Sequence, residues 1–584
     1  MKGKNLHCDV LVVGGGMSGI FAALKAKEQG ADVLLTDKNY VGRSGATIWS
    51  SMFTAFSPAW GHDLKEWMGF LDDAFEGMNH AQWTRILLEE SYERYMELES
   101  WGVEFPVDSE GKHLGFHAPG VPVEARVMTK GVHFLPKLRN KVLQEGIRII
   151  DHVMITELLM QDGVVRGAAG FHSHTGEPYR FDAGAVILCT GPLGFKSVKN
   201  MAVANLTGDG EAMAYRCGAQ ISGKEFAFAG STVYQGAKNE SERAEMKGRQ
   251  VHKTIERNMV WGGYLPQLGA YDFFVDAKGY PLNRFTAAAA IHEGRGPVYL
   301  DMDKVPEPMV QWSSHELKES GEQYRMERIG LKEMRDGLWM GVLRTELNTG
   351  GLHGGGSGIA QVDLNCATNV PGLYAAGDAY NSRTGGARYQ FVGFGQCNAA
   401  VTGARAGVAA AKYASDAKRS ELDASYAEDI QQAMLEPLNT GSGFSVHWTI
   451  QQIQNLVFPY YYSIVKQEDR LKAALTTIGF LKDHVCQRLY AEDVHSLRLV
   501  HETRNLALNA EMLIRASLFR TESRGNHYRE DYPQRNDADW RCWVRLKNEN
   551  GRMEAIKEPI PEDAATRPLE HYFMNFPDYR TQSR

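Results

Sequence analysis

The sequence predicts an α/β fold in which a Rossmann-type nucleotide-binding domain is interrupted by an inserted α+β capping domain and followed by a C-terminal helical domain. A β-α-β pattern with a glycine-rich turn occupies residues 8–37. A second apolar strand with a glycine turn ends near residue 378, after a stretch rich in Gly, Trp, Phe and Tyr that lacks the β-α-β rhythm. Residues 422–524 have helical periodicity, which predicts a separate helical unit.

These changes of pattern set the expected domain boundaries. We expect the nucleotide-binding domain at residues 1–215 and 346–421, the capping domain at 216–345, the helical domain at 422–540 and a polar C-terminal tail at 541–584. A chain of 584 residues is long enough for several domains, each with its own hydrophobic core.

The composition excludes several classes of protein. Hydrophobic residues make up 43% and charged residues 23% of the chain, as in globular proteins. The net charge of -7 gives no reason to expect nucleic-acid binding. The chain contains no run of about 18 apolar residues, so the sequence predicts no integral membrane segment. A strand is expected to begin too close to Met1 for a secretory signal.

The seven cysteines are scattered and include no CxxC pair. They are expected to be packing residues in a reducing, cytoplasmic compartment rather than a disulfide frame. An iron–sulfur cluster needs four grouped thiolates, so the sequence predicts neither such a cluster nor another metal site.

The first β-α-β unit carries a nucleotide-binding glycine pattern. Gly14 is expected to make the tight turn, Gly16 to let the backbone approach a pyrophosphate, and Gly19 to let the helix pack closely on the strand. Asp37, at the end of the second strand, can accept hydrogen bonds from ribose hydroxyls. The positive end of the helix faces the phosphates. The residues predicted to bind the dinucleotide here are Gly14, Gly16, Met17, Ser18, Gly19 and Asp37.

Two later strands end in small residues that would let a cofactor come close. A buried strand ends in Thr190-Gly191, after an antiparallel insert that begins near residue 148. The second strand ends in Gly377-Asp378, where the carboxylate is suited to bonding a flavin ribitol. The two glycine strings, about 360 residues apart, together predict that the cofactor is FAD.

A helix of small residues is predicted to begin near Gly395. Its N-terminal amides can stabilise the negative charge of a reduced flavin, and Gly393 and Gly395 would permit the close approach. The flavin then does the redox chemistry, while the protein supplies orientation and charge.

Four residues are candidates for catalysis, and each also has a structural alternative. Arg388 is flanked by glycines and suits bidentate recognition of a carboxylate, or it forms an ordinary salt bridge. His353 lies in a glycine-rich loop and could donate a proton, or it is a structural histidine. Arg284 is either an acid or anion clamp or an ion-pair residue, and Glu225 is either functional or part of a buried network.

The chain resembles the flavoprotein subunits of the succinate dehydrogenase/fumarate reductase family, with features similar to the alpha subunit of adenylylsulfate reductase. The resemblance runs from about residue 7 to about 545 and includes Glu293-Gly294-Arg295-Gly296-Pro297 and the string from Glu522 to Pro533. It implies an FAD-dependent oxidoreductase. The further cofactor-binding residues that it implies are Lys38, Arg43, Ser44, Gly45, Ala46 and Asp209.

The departures from the family pattern bear on function. Many members carry a histidine, covalently bonded to the flavin, in an Arg-Ser-His-Thr string, whereas this chain reads Arg43-Ser44-Gly45-Ala46. The resemblance therefore implies non-covalent FAD. The dicarboxylate-binding histidine that follows the family's Glu-Phe pair is absent here, and an ungapped alignment places Phe285, beside Arg284, at the family's proton-shuttling arginine.

Three functions stay open from the sequence. The first is a hydride exchange between flavin N5 and a small anionic, carboxylate-type substrate, with electrons passed to or from a separate, ferredoxin-like or other redox partner. The second is sulfur chemistry like that of adenylylsulfate reductase, through a flavin–sulfite adduct. The third is a flavin electron-relay subunit without turnover of its own. The oligomeric state is open, and a homo-oligomer is compatible with the sequence.

Overall fold

The computed structural model describes residues 3–75, 77–107, 109–117, 122–196, 204–226, 231–235, 274–275, 281–282, 299–300, 342–348, 357–384, 387, 393–417, 422–463, 465–525 and 527–560. Most of the expected capping domain and the end of the chain therefore lie outside the described residues. No helix within the described ranges is long and apolar enough to cross a membrane.

The helices and strands are numbered in chain order. The α-helices are α1 (Met17–Glu28), α2 (Leu64–Ala74), α3 (Ala81–Ser100), α4 (Gly131–Gln144), α5 (Asp209–Arg216), α6 (Phe394–Asp416), α7 (Ala424–Leu435), α8 (Val446–Val457), α9 (Tyr460–Ser463), α10 (Glu468–Phe480), α11 (Val494–Phe519) and α12 (Asp537–Trp540). The strands of the first half are β1 (Lys4–Val13), β2 (Val33–Thr36), β3 (Met52–Thr54), β4 (Gly115–His117), β5 (Glu124–Val127), β6 (Arg148–Ile150), β7 (Val153–Gln161), β8 (Val164–His172), β9 (Pro178–Leu188), β10 (Ile221–Ser222) and β11 (Ser231–Gln235). The strands of the second half are β12 (Phe274–Val275), β13 (Pro281–Leu282), β14 (Tyr299–Leu300), β15 (Val342–Asn348), β16 (Gly358–Ala360), β17 (Leu373–Ala375), β18 (Tyr380–Asn381), β19 (Val465–Lys466), β20 (Tyr528–Arg529), β21 (Cys542–Glu549) and β22 (Arg552–Pro559).

The main sheet has the order β6-β2-β1-β9-β8-β7, and β17 also pairs with β9. Strand β1 lies parallel between β2 and β9, with Val12 opposite Leu35 on one side and Ile187 on the other. Strand β9 has two partners on the side away from β1: its first half pairs antiparallel with β8, and its second half pairs parallel with β17. This arrangement confirms the predicted β-α-β start, the antiparallel insert and the return of the chain to the sheet.

Helices α1 and α6 cover the centre of this sheet. The apolar run of β1 is buried, with Val10, Leu11 and Val12 fully inaccessible, as expected for a parallel strand covered on both faces. The small residues of α6 let it lie directly on α1, because a Cβ on Gly403 would stand 2.4 Å from the carbonyl oxygen of Ser18. This close packing brings the N-termini of both helices to one edge of the sheet.

The helical domain is built around α11, which buries polar side chains such as Glu502 and Asn509 as well as its apolar ones. The helix begins with a capping box in which Asp493 and Ser496 exchange hydrogen bonds. Helices α8 and α10 pack against it, and Ile453, Leu471 and Leu506 lie in their shared core. The predicted helical unit after residue 422 is therefore observed.

The C-terminal tail expected from residue 541 begins instead with a β-hairpin. Strands β21 and β22 extend a sheet of order β18-β16-β10-β21-β22, in which Ile221 pairs with Leu546. Trp543 is buried and donates its indole N–H to the carbonyl oxygen of Met78 at 2.7 Å. The strand was missed because its partner β10 is two residues long and more than three hundred residues earlier in the chain.

Candidate functional site

A cavity lies at the edge of the main sheet where the parallel strands β1, β2 and β9 end. This is the edge at which open α/β sheets bind ligands. The residues predicted from the sequence that line the cavity are Gly14, Gly16, Met17, Ser18, Asp37, Lys38, Ser44, Gly45, Ala46, Thr190, Gly191, Asp209, Asp378 and Gly395. Glycine strings that are far apart in sequence therefore meet at one site.

The turn between β1 and α1 has the geometry that its glycines predict. Gly14 has φ of 111°, and a Cβ there would lie 2.2 Å from the carbonyl oxygen of Cys189. A Cβ on Gly19 would lie 1.8 Å from the carbonyl oxygen of Gly14, so α1 can approach β1 only with glycine at this position. Helix α1 has no side-chain cap at Gly16, although the Met17 N–H donates to the Thr47 hydroxyl at 3.3 Å. Gly16, Met17 and Ser18 line the cavity, so the positive end of the helix lies where it suits an anion.

Asp37 holds this turn in place as well as lining the cavity. Its Oδ2 accepts a hydrogen bond from the backbone N–H of Gly15 at 2.8 Å and one from the Ser44 hydroxyl at 2.9 Å. Its Oδ1 accepts from the backbone N–H of Asn39 at 2.7 Å. The carboxylate thus ties the phosphate turn to the Ser44–Gly45 loop, a role that the predicted ribose contact did not include.

Lys38 and Asp209 line the cavity, but their charged atoms bind each other. The Lys38 ammonium donates to Asp209 at 2.8 Å, to Thr207 at 2.8 Å and to Glu502 of α11 at 3.0 Å. Burial alone would lower the pKa of Lys38, but Asp209 and Glu502 raise it above its ordinary value. Burial would likewise raise the pKa of Asp209, but Lys38 lowers it. The network therefore attaches the helical domain to the wall of the cavity.

Three buried polar atoms of the cavity wall have no hydrogen-bond partner within the described ranges: Thr190 Oγ1, Asn205 Oδ1 and Gln396 Oε1. Buried polar atoms are normally satisfied, so these three fit a polar ligand that completes their hydrogen bonds. Asn205 and Gln396 were not singled out from the sequence, because neither belongs to a glycine string. The donor set, the helix N-termini and the cavity's position fit a dinucleotide such as FAD.

The far end of the cavity is formed by the start of α6. Gly393 precedes this helix with φ of 81° and provides no side-chain cap. Its carbonyl oxygen accepts the backbone N–H of Thr54 at 3.2 Å, which fixes the helix start against β3. Gly395 and Gln396 line the cavity, as does Asp378 opposite them. The positive N-terminal end of this helix suits the negative charge of a reduced flavin.

Four predicted cofactor residues do not line the cavity. Gly19 acts through helix packing, and Gly393 acts by starting α6. Gly377 is buried and its N–H donates to Thr402 Oγ1 at 2.9 Å, so it shapes the turn before Asp378. Arg43 is exposed, and no contact with the cavity supports its predicted role.

Glu225 is the one predicted catalytic residue within the described ranges, and it lies away from this cavity. Its side chain is fully buried, and Oε1 accepts a hydrogen bond from Arg520 Nε at 3.1 Å. Burial raises its pKa, although Arg520 opposes the shift. Arg284, His353 and Arg388 lie outside the described residues.

Buried ion pairs within the segment after α11 stabilise its conformation. Arg524 pairs with Glu522 at 2.7 Å, and Arg529 pairs with Asp531 at 2.7 Å. His527 is fully buried and contacts Lys466 Nζ at 3.0 Å through Nδ1. Within the described ranges, no group of three or more His, Cys, Asp or Glu side chains is arranged to hold a metal ion.

Comparison with known proteins gives the same assignment for the whole chain. A family model described as "FAD binding domain" matches residues 9–390, and one described as "Fumarate reductase flavoprotein C-term" matches residues 452–574. A CoM/CoB fumarate reductase subunit from Methanothermobacter marburgensis is 27% identical over 95% of this chain and 99% of that protein.

Two solved structures are similar over nearly their full lengths. A variant of E. coli quinol fumarate reductase FrdA has a TM-score of 0.77 at 19% identity and covers 98% of this chain and 100% of that chain. Adenylylsulfate reductase from Archaeoglobus fulgidus has a TM-score of 0.73 at 20% identity and covers 97% of each chain. The chain therefore belongs to the FAD binding domain family and is an FAD-dependent oxidoreductase of the fumarate reductase and succinate dehydrogenase flavoprotein type.

Proposed function

We propose that this enzyme binds FAD without a covalent bond, exchanges a hydride with a small anionic, carboxylate-type substrate, and passes electrons to or from a separate redox partner. When bound, FAD supplies the isoalloxazine N5 that accepts or donates the hydride. The chain's own groups would hold it: the amides of α1 at the pyrophosphate, Asp37 at the ribose, and the first turn of α6 at the reduced ring.

Non-covalent attachment is supported by the side chains of the cavity wall. Gly45 and Ala46 line the cavity where the family's covalently bonded histidine would stand, and no histidine or tyrosine is among the described lining residues. Cys189 is the cysteine of this wall, and burial raises the pKa of its thiol to about 12. It is therefore not present as the nucleophilic thiolate.

This part of the proposal is tested by acid precipitation of the purified yellow protein. Released flavin in the supernatant is the expected result, and yellow colour that stays with the denatured chain contradicts it. Replacing Gly45 by histidine provides a matched variant, since it introduces an imidazole at the position occupied in other members.

An anionic substrate is supported mainly by the full-length similarity to a protein named fumarate reductase. We assign Arg388 to carboxylate binding, with His353, Arg284 and Glu225 as candidates for proton transfer; paired hydrogen bonds from an arginine suit a carboxylate. The substrate differs from fumarate or succinate in this proposal, since the chain lacks the histidine that follows the family's Glu-Phe pair. Seven free cysteines are compatible with a cytoplasmic enzyme.

A screen for flavin bleaching separates the candidate functions. Under anaerobic conditions, bleaching by one saturated carboxylic acid, or reoxidation of reduced enzyme by one unsaturated acid, supports hydride exchange. Bleaching by sulfite that requires AMP would favour the chemistry of adenylylsulfate reductase, which the Ser44-Gly45-Ala46 string resembles. Electron exchange with ferredoxin, without a response to any small acid, would favour the relay function.

Variants then test the assigned residues in the reaction that the screen identifies. Arg388→Lys is expected to raise KM for the acid by about tenfold or more, because a lysine cannot replace a bidentate guanidinium. Arg85→Ala is the matched control, since Arg85 forms an exposed pair with Glu89 on α3. Equal KM values for Arg388→Lys and the control would remove Arg388 from the site.

A further inference from the structure

The turn between β8 and β9 (residues 173–177) is held in part by the ring of His172. The backbone N–H groups of His174 and Thr175 both donate to His172 Nδ1 at 3.3 Å. A ring nitrogen accepts hydrogen bonds only while it carries no proton, so the proton of the neutral ring is on Nε2. A proton on Nδ1 would replace this acceptor by a donor and break both bonds. The conformation of the turn therefore depends on a neutral His172.

The same turn contacts the segment that forms one wall of the cofactor cavity. Ser173 is buried, its N–H donates to the carbonyl oxygen of His152 at 2.6 Å, and its hydroxyl donates to that of Lys38 at 3.3 Å. The N–H of His152 donates to the carbonyl oxygen of Asn39 at 2.7 Å. Asp37 and Lys38 line the cavity. The turn therefore supports the wall at which the ribose is proposed to bind.

His152 makes this support sensitive to the turn. Its φ of 61° is a left-handed conformation that a residue other than glycine keeps only when its surroundings hold it. The two backbone bonds, to Asn39 and from Ser173, provide that hold. The next residue, Val153, lines the cavity and donates its N–H to the carbonyl oxygen of Asp37 at 3.0 Å. A loosened turn is therefore expected to displace the cavity wall.

The surroundings of His172 oppose a positive charge on its ring. The ring centres of His152 and His174 lie 5.9 Å and 5.7 Å from that of His172. Burial, together with His174 and His152, lowers the pKa of His172 below its ordinary value of 6.5, although Glu177 opposes the shift. The neutral ring is therefore the main form at neutral pH. Charged or titratable side chains on the elements packed around this cluster are Lys4, Asp37, Lys38, Tyr40, Arg139, Asp151 and Glu177.

We propose that His172 is a positioning residue for the cofactor: its neutral ring holds the turn that supports the ribose wall, and a proton on the ring weakens FAD binding. This inference depends on FAD binding and not on the identity of the substrate. By linkage, FAD and the proton each lower the affinity of the protein for the other by the same factor. FAD affinity should therefore be constant above the pKa of His172 and fall as the pH decreases through it.

Two substitutions separate the hydrogen-bond acceptor from the titration. His172→Ala removes the acceptor at every pH and should weaken FAD binding about tenfold at about pH 8, because two neutral hydrogen bonds are lost. In His172→Asn the side-chain oxygen can accept from the backbone N–H two residues on, as in an Asx turn, and it takes up no proton. His172→Asn should therefore recover most of the affinity that His172→Ala loses, without the decline in acid. His447→Asn, at an exposed histidine of α8, is the control and should keep the wild-type profile.

Two measurements on the full-length protein test this. A fluorescence titration with FAD at each pH gives the dissociation constant, and the wild type should bind about tenfold more weakly at about pH 5 than at about pH 8. Mass spectrometry of deuterium exchange at the imidazole C2–H gives the pKa of His172 in the free and FAD-loaded protein. That pKa should be about one pH unit lower in the loaded protein, which corresponds to the tenfold change in affinity. A merely structural role would not link FAD to this pKa.

A flat affinity profile in His172→Asn, together with a lower pKa of His172 in the loaded protein, supports the inference. The inference is overturned if His172→Asn keeps the acid-dependent loss of the wild type, which would assign that loss to another group such as His152 or His174. It is equally overturned if the wild-type affinity does not fall in acid, or if FAD leaves the pKa of His172 unchanged. If neither His172 variant folds, the exchange measurement on the wild type decides by itself.

Discussion

Lys38→Met tests whether the cavity wall depends on the helical domain. Methionine keeps much of the apolar volume of the side chain but removes the ammonium that contacts Thr207, Asp209 and Glu502. In the variant, Glu502 would keep its ion pair with Lys196 at 2.6 Å. Asp209 would keep only hydrogen bonds from the neutral donors Thr207 and Asn505. Most of the destabilisation should therefore arise at Asp209.

The expected loss is large for one substitution. Removing one partner of a buried ion pair destabilises a protein by about 3–5 kcal/mol. The double variant Lys38→Met/Asp209→Asn removes the stranded carboxylate, and we expect it to recover about 1–3 kcal/mol of that loss, since contacting residues are energetically coupled. Lys472→Met is the control, and its stability should stay close to that of the unchanged protein because the pair is exposed.

Urea unfolding monitored by tryptophan fluorescence, with FAD release measured in parallel, gives these differences. The helical domain and the cavity should lose structure together in Lys38→Met. The reasoning is refuted if Lys38→Met loses no more stability than the control. It is also refuted if the stability losses of Lys38→Met and Asp209→Asn, each measured alone, simply add in the double variant.

The same network predicts a dependence on pH. Burial alone would raise the pKas of Asp209 and Glu502, but Lys38 holds both below their ordinary values. Their contribution to stability is therefore present above the ordinary carboxyl pKas and is lost as the pH falls through the folded-state pKas. Lys38→Met should weaken this acid-dependent loss in the urea experiment.

Three further predictions concern single residues. Gly19→Ala should lower FAD affinity at least about a hundredfold, corresponding to about 2.7 kcal/mol, because its Cβ would lie 1.8 Å from the carbonyl oxygen of Gly14. A fluorescence titration with FAD measures this affinity. The control is Gly479→Ala on α10, where an added Cβ would meet nothing within 4 Å. Asp37→Asn should weaken FAD binding about tenfold or more, because hydrogen bonds to a charged acceptor contribute about 1.5–3 kcal/mol; unchanged affinity in the same titration contradicts this. The pKa of Lys466 is about 7 in the folded protein against an ordinary 10.5. Between these pH values the stability of the wild-type protein should rise by about 1.4 kcal/mol per pH unit, since only the unfolded chain binds the proton. Urea midpoints measured against pH should lose this slope in Lys466→Met, and equal slopes in the variant and the wild type would argue against it.

The parts of the fold that the sequence predicts are those defined by nearby residues. The apolar run of β1, the glycines at 14 and 19 and the acid at Asp37 lie within one β-α-β unit, and local sterics determine their geometry. The small residues of α6 likewise predict a helix that packs closely. These features were confirmed because they depend little on the rest of the chain.

The rest depends on contacts between distant segments. Lys38 was expected at the cofactor, but its charge is taken up by Glu502, which is 464 residues away. Asn205 and Gln396 belong to no motif, and only the folded cavity shows that their polar atoms lack partners. Lys466 lies within the segment 422–524 that the sequence predicts to be helical, but it belongs to a two-residue strand, and its ammonium is buried against the backbone carbonyl of Glu225.

The pairing of β10 with the C-terminal hairpin has a consequence for biosynthesis. Ile221 and Ser222 can find their partners Leu546 and Arg545 only after more than three hundred further residues have been synthesised. During translation the edge of β10 that later pairs with β21 is therefore unpaired and exposed to chaperones or to other nascent chains. Maturation of the turn that carries Glu225 is a late event, and premature termination before the hairpin would leave it without that support.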